Sequence, residues 1–333
     1  MAKLLVPLLL IAAIGAWAPS EALAQGPKIH DPSTILQRDS RYWMFSTGIR
    51  VQALSSSNLT DWHREPPAFD RPPEWVNEVV PTQRGHFWAP DVIQWRGRYL
   101  LYYSVSAFGK RTSAIALATG KTLNADAAGY GWTDEGIVIQ TSEADDFNAI
   151  DPAAVATPDG ELWMTFGSYW SGVKLIELDP ATGRRLSPES PMYSLAWKSE
   201  IEAPAIRFHD GYYYLFVNWG HCCRGVRSTY NIRVGRSREI TGSYVDRDGV
   251  DMLEGGGTLV LETRGAAIGP GHAGFLERDG RLMLSYHYYD GERRGQPVLG
   301  VSELRWDDEG WPVVVDQPAL TGRIVADQSA RRN

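Results

Sequence analysis

"SEIEAPAIRFHDGYYYLFVNWG" (Ser199–Gly220) is the stretch on which the fold turns. A Pro-containing lead, a short apolar strand, the dipeptide Asp210-Gly211 and an aromatic-rich strand follow one another. Asp-Gly between two apolar runs is hairpin chemistry, because both residues tolerate the positive φ of a tight turn. Glu202 lies in the apolar lead. A carboxylate rarely enters such surroundings unless something pairs with it or uses it.

Four other stretches repeat this pattern: "IHDPSTILQRDSRYWMFSTG" (29–48), "FWAPDVIQWRGRYLLYYSVS" (87–106), "AIDPAAVATPDGELWMTFGS" (149–168) and "GPGHAGFLERDGRLMLSYHY" (269–288). Their turns fall at Asp39-Ser40, Arg96-Gly97, Asp159-Gly160 and Asp279-Gly280. Successive turns are 57, 63, 51 and 69 residues apart, which leaves room for a four-stranded sheet and loops in each repeat. Further strand-like runs follow each hairpin, such as "SAIALAT" (113–119) and "YNIRVGRS" (230–237), and nothing reads as a long amphipathic helix. Radial repetition of such units predicts an all-β, five-bladed β-propeller with four-stranded blades around a central channel. A β-sandwich with coincidental hairpins is the competing fold.

Counting back nine residues from the second turn residue reaches Asp31, Trp88, Asp151, Glu202 and Gly271, with His272 next in line. Three of five equivalent positions are therefore acids. The inner strands of a propeller line its axis, so these acids converge on one mouth of the channel, an arrangement that packing alone disfavours. Asp151 and Glu202 belong to adjacent repeats, whereas Asp31 is two steps from each. On an idealised five-fold ring the non-adjacent separation is roughly 1.6 times the adjacent one. A close pair can keep one proton and serve as general acid, while a distant carboxylate activates water. Inverting glycosidases hold acid and base roughly 6.5–9.5 Å apart for that purpose. Acids that merely cap backbone N–H groups, or that form a calcium site, are the alternatives.

Composition bounds the setting. The chain opens with "MAKLLVPLLLIAAIGAW" and an Ala22–Ala24 cleavage pattern, which predicts a secretory signal peptide over 1–24 and a mature chain, one propeller domain, over 25–333. A membrane anchor is the other reading of that segment, but its apolar run is short for a span. The mature protein is expected in the periplasm or the medium. Net charge is −7 without a basic block, so no nucleic-acid partner is expected. Thirteen Trp and 15 Tyr supply either propeller core or faces for sugars. The two cysteines, Cys222 and Cys223, are neighbours, so they staple no loop, and a vicinal disulfide and two buried thiols stay equally open. The polar tail "VADQSARRN" (325–333) is expected to fray.

"HDPS" (30–33), "HFWAPDV" (86–92), "NAIDPA" (148–153), "GSYWSG" (167–172), "IEAP" (201–204) and "CCRGVRSTYNIRVGRS" (222–237) together resemble glycoside hydrolase family 43 over the whole mature chain. The likeness is to its endo-acting arabinanases, five-bladed propellers that cleave α-1,5-linked L-arabinan with inversion. The resemblance implies Asp31 as general base, Glu202 as general acid and Asp151 as the residue that raises and orients the acid. It implies a sugar site lined by Asn148, Ile150, Ser168, Tyr169 and Trp170, with Gly109 as a backbone contact and Trp88 as a stacking face. It also places His272 against a hydrated ion, usually calcium, of structural or electrostatic role. Exo-acting family members are the nearest alternative. A non-catalytic sugar-binding propeller fits less well, because a lectin would repeat one site per blade.

Overall fold

The computed structural model describes residues 28–315 and, as backbone, 320–324. The expected signal peptide and the tail after Ile324 lie outside the described residues. Within them the five hairpins become the two inner strands of five four-stranded antiparallel sheets. Blade one begins with Leu36–Arg38 and Arg41–Ser46, blade two with His86–Trp95 and Arg98–Val105, blade three with Ala153–Ala156 and Leu162–Phe166. Ile201–His209 and Tyr212–Trp219 start blade four, and Ala267–Arg278 and Arg281–Asp290 start blade five. In blades one, two, four and five the turn is two residues, both at positive φ: Asp39 and Ser40, Arg96 and Gly97, Asp210 and Gly211, Asp279 and Gly280. That is the type I′ geometry whose twist matches the flanking strands. Blade three has a longer turn, closed by Thr157 N–H to Glu161 O at 2.9 Å.

The second strand of each hairpin is largely buried on both faces. In Arg41–Ser46, Trp43 and Phe45 pack toward blade two, while Tyr42 and Met44 pack toward blade five. Successive strand residues point to opposite faces, so a blade wedged between two neighbours reads as a continuous apolar run. Five core clusters result among the described residues, one in each interface between adjacent blades. Fully buried aromatics such as Tyr102, Tyr103, Tyr214 and Phe216 fill them, each contributing roughly 1.5–3 kcal/mol of burial. The ring closes at its outer edge. Leu320–Ile324 pairs antiparallel with Gln296–Trp306 of blade five and parallel with Asp61–Glu65 of blade one.

Candidate active site

At the channel mouth every inner strand ends in the same backbone device. His30, Trp88, Ile150, Glu202 and Gly271 face the partner strand just before its register shifts, opposite Thr47, Ser104, Gly167, Asn218 and His287. The residue that follows is left-handed in all five blades: Asp31 (φ 51°), Ala89 (44°), Asp151 (59°), Ala203 (51°) and His272 (64°). Only glycine takes this conformation freely, although Asp tolerates it.

The left-handed residue turns its N–H toward the preceding blade, where a side chain accepts it. Ala89 donates to Thr47 Oγ1 (2.8 Å), Asp151 to Ser104 Oγ (3.0 Å), His272 to Asn218 Oδ1 (2.9 Å) and Asp31 to His287 Nδ1 (3.2 Å). Blade three offers no side chain at the matching place, because Gly167 stands there. At φ 120° a Cβ on Gly167 would meet Gly172 O at 2.6 Å. The Asp151 carboxylate does the work instead, its Oδ2 accepting Ala203 N–H at 3.2 Å. A closed ring of interblade hydrogen bonds thus fixes both the strained backbone and one catalytic candidate.

This geometry corrects the repeat count. Asp31 and Asp151 occupy the left-handed position, and Glu202 the position before it. Blade three's longer turn sets its first strand back by one residue, and an extra residue between Leu36 and Ser33 does the same in blade one. The three acids still share one rim.

They differ electrically. Asp31 Oδ1 lies 2.7 Å from His30 Nδ1, and Oδ2 accepts from Thr47 Oγ1 at 2.5 Å. Burial raises its pKa, but the His30 charge and hydrogen bond, with His272 and His287, outweigh burial and hold the carboxyl well below the usual range. Glu202 is buried, and burial pushes it up to about 7 against the opposing Ser168 bond at 2.7 Å. Burial and the neighbouring Glu202 raise Asp151 as well. The mouth therefore holds one ionised carboxylate and a buried pair that retains a proton near neutral pH.

Above the acids lies a cleft of about 890 Å³, lined by residues from all five blades. Trp88, Gly109, Asn148, Ile150, Ser168, Tyr169 and Trp170 all reach it, as the sequence predicts. Trp170 is 39% exposed, and Phe108, which sequence reasoning passed over, is 78% exposed and edge-on to Trp88. Asn148 is tied through Ser113 Oγ to Ser106. Cys222 and Cys223 are bonded to each other and form part of the wall, which resolves the alternative the sequence left open.

His272 lies below the cleft, with Nδ1 3.7 Å from Asp31 Oδ1. Burial lowers its pKa, so the imidazole is neutral at neutral pH and has a lone pair for a cation. His30, Asp31 and His287 also gather within 4.8 Å. The atoms of that group that face one another are engaged: His30 Nδ1 with Asp31, His30 Nε2 with Tyr289, and His287 Nδ1 with the Asp31 N–H. His287, Asn218 and Asp91 also escaped sequence reasoning. His287 and Asn218 stand seven residues after their turns, a count that finds every residue facing the rim. Asp91 accepts Thr34 N–H and Ala154 N–H, both at 3.0 Å, and so pins blade two to blades one and three.

Residues 27–312 match the model of glycosyl hydrolases family 43. The extracellular exo-α-(1→5)-L-arabinofuranosidase ArbA of Cellvibrio japonicus is 41% identical over 91% of this chain and 91% of its own. The extracellular endo-α-(1→5)-L-arabinanase 1 of Bacillus subtilis is 39% identical over 89% and 91%. The solved structure of Cellvibrio cellulosa α-L-arabinanase complexed with arabinohexaose superposes with a TM-score of 0.83 at 40% identity, covering 88% of this chain and 96% of that one.

Proposed function

The chain belongs to glycosyl hydrolases family 43 and is a glycosidase of that family, and on that premise we propose that it cleaves internal α-1,5-L-arabinofuranosidic bonds of arabinan with inversion. The observation that carries the reading is the split of the three acids: an ionised Asp31 two blades from a buried, proton-sharing Asp151–Glu202 pair. Asp31 activates water, Glu202 protonates the leaving oxygen, and Asp151 holds the acid in place. Two hydrogen bonds support placing the shared proton on Glu202. Ala203 N–H donates to Asp151 Oδ2 and favours the charged form of that carboxyl. Ser168 Oγ can donate or accept, so it accommodates a protonated Glu202.

A cleft of this size is near the upper end for a binding pocket and takes several sugar units. Aromatic faces at Trp88 and Trp170 suit the apolar faces of furanose rings. Relatives of both exo and endo type match nearly equally well, so the mode of cleavage is the part to test. Early chromatography of products from linear arabinan should show a range of oligosaccharides. Release of one short product from the outset would establish exo action. Faster turnover of xylo-oligosaccharides would remove arabinan as substrate.

The proposal includes one hydrated calcium ion at His272, structural or electrostatic in role. Calcium normally takes oxygen ligands, so water would complete its shell, and its charge would act on the channel mouth. Exhaustive chelation should lower activity or melting temperature, and calcium should restore it. Unchanged behaviour with no metal by elemental analysis would remove the ion. Export is proposed from the expected signal peptide and from relatives named extracellular. No helix among the described residues is long and apolar enough to cross a membrane.

A further inference from the structure

The bonded cysteine pair lines the cleft, but no chemistry described so far uses it. Cys223 is left-handed (φ 65°), and its N–H donates to Tyr289 Oη at 2.7 Å. Tyr289 Oη lies 2.8 Å from His30 Nε2, and His30 Nδ1 lies 2.7 Å from Asp31 Oδ1. Cys223 N–H can only donate, so the tyrosine oxygen accepts it, and the same hydroxyl meets His30 Nε2. The ionised Asp31 can only accept, so His30 Nδ1 carries a hydrogen and donates it to the carboxylate. The His30 ring is further held flat against His287, with centroids 3.9 Å apart.

We propose that the Cys222–Cys223 pair, Tyr289 and His30 form a positioning relay for Asp31, with the disulfide as its fixed end. A bond between adjacent cysteines closes a small ring around the peptide that joins them, so the direction of Cys223 N–H is set covalently. Tyr289 passes that direction to the His30 ring, which aims one donor at the carboxylate. Thr47 supplies the second donor, so each oxygen of Asp31 faces a donor of its own. His30 and Tyr289 are positioning residues, since they act through Asp31. The inference rests on the reading of Asp31 as the base.

The test uses the full-length enzyme on a linear arabino-oligosaccharide. Tyr289→Phe keeps the ring and removes the hydroxyl. It should lower kcat roughly tenfold, a part of what a general base supplies, while KM changes little. His30→Asn, whose amide nitrogen can replace the Nδ1 donor, should retain more activity than His30→Ala. A dithiol reductant gives two electrons and two protons to the S–S bond, yielding two thiols and its own cyclic disulfide. Reduction of the wild type should reproduce the kcat loss, yet do less in Tyr289→Phe, where only the 3.8 Å contact of Cys223 Sγ with His30 Nε2 still joins the pair to His30. Cys222→Ser/Cys223→Ser should match the reduced enzyme, and the reductant arm stands by itself should that variant fail to fold. Wild-type kcat in Tyr289→Phe, or an undiminished effect of reduction in that variant, overturns the relay. Asp31→Ala separates the two ideas. If it is inactive and rescued by azide while Tyr289→Phe is normal, only the relay fails; if it stays active, the base assignment fails.

Discussion

Glu202 and Asp151 are like side chains that face different donors. The backbone N–H of Ala203 favours a charged Asp151, whereas the Ser168 hydroxyl can donate to Glu202 or accept from it. Asp151→Asn preserves an acceptor oxygen and removes a negative charge. The charge makes ionisation of Glu202 harder, so its loss should lower the Glu202 pKa from about 7. The basic limb of the kcat/KM profile should then move to lower pH by about one unit. An unmoved limb would detach Asp151 from the acid. The three carboxylates were legible in the sequence because acids in apolar strand leads are improbable without a use. Their protonation states were not, since those depend on donors from other blades.

At the scale of a strand, the repeated left-handed residue is the feature that builds the rim. Ala89 and Ala203 have no side-chain reason to accept positive φ, so the interblade bonds must hold them there. Ser104→Ala should leave the Asp151 N–H buried without its acceptor. The expected cost is about 1–3 kcal/mol, read as a lower urea midpoint at constant slope. Activity should fall with it, because Asp151 sits on that same residue. A midpoint within error of wild type would show that the ring carries no stability. The hairpins were readable from their turn dipeptides, but the one-residue offset of Glu202 was not. Register past a bulge is decided by pairing with the neighbouring strand, which a count along the chain does not see.

For the whole molecule, the critical contact is the closure between the first and last blades. Arg323 and Ile324 pair with Asp61 and Trp62, and Leu320–Gly322 pair with Leu299–Val301. Ending the chain at Val315 should expose the edge of Asp61–Glu65 and loosen the ring where its first and last blades meet. Melting temperature should drop, and amide exchange should rise first in Asp61–Glu65. Uniform exchange throughout the ring, with an unchanged melting temperature, would show that the four inner interfaces suffice.

The sequence by itself determined the number of blades, the sheet type and the identity of the three acids. These follow from local properties: turn chemistry, two-residue periodicity and the cost of burying charge. Only the tertiary structure decided that Asp151 doubles as a backbone acceptor, because that role arises from Gly167 leaving a gap in a ring drawn from five blades. It also decided that Cys222 and Cys223 are bonded and that His287, some 250 residues away in the chain, accepts the N–H of Asp31. Such contacts join residues related by the closing of a circle, and the one-dimensional pattern carries no record of which side chain meets which across it.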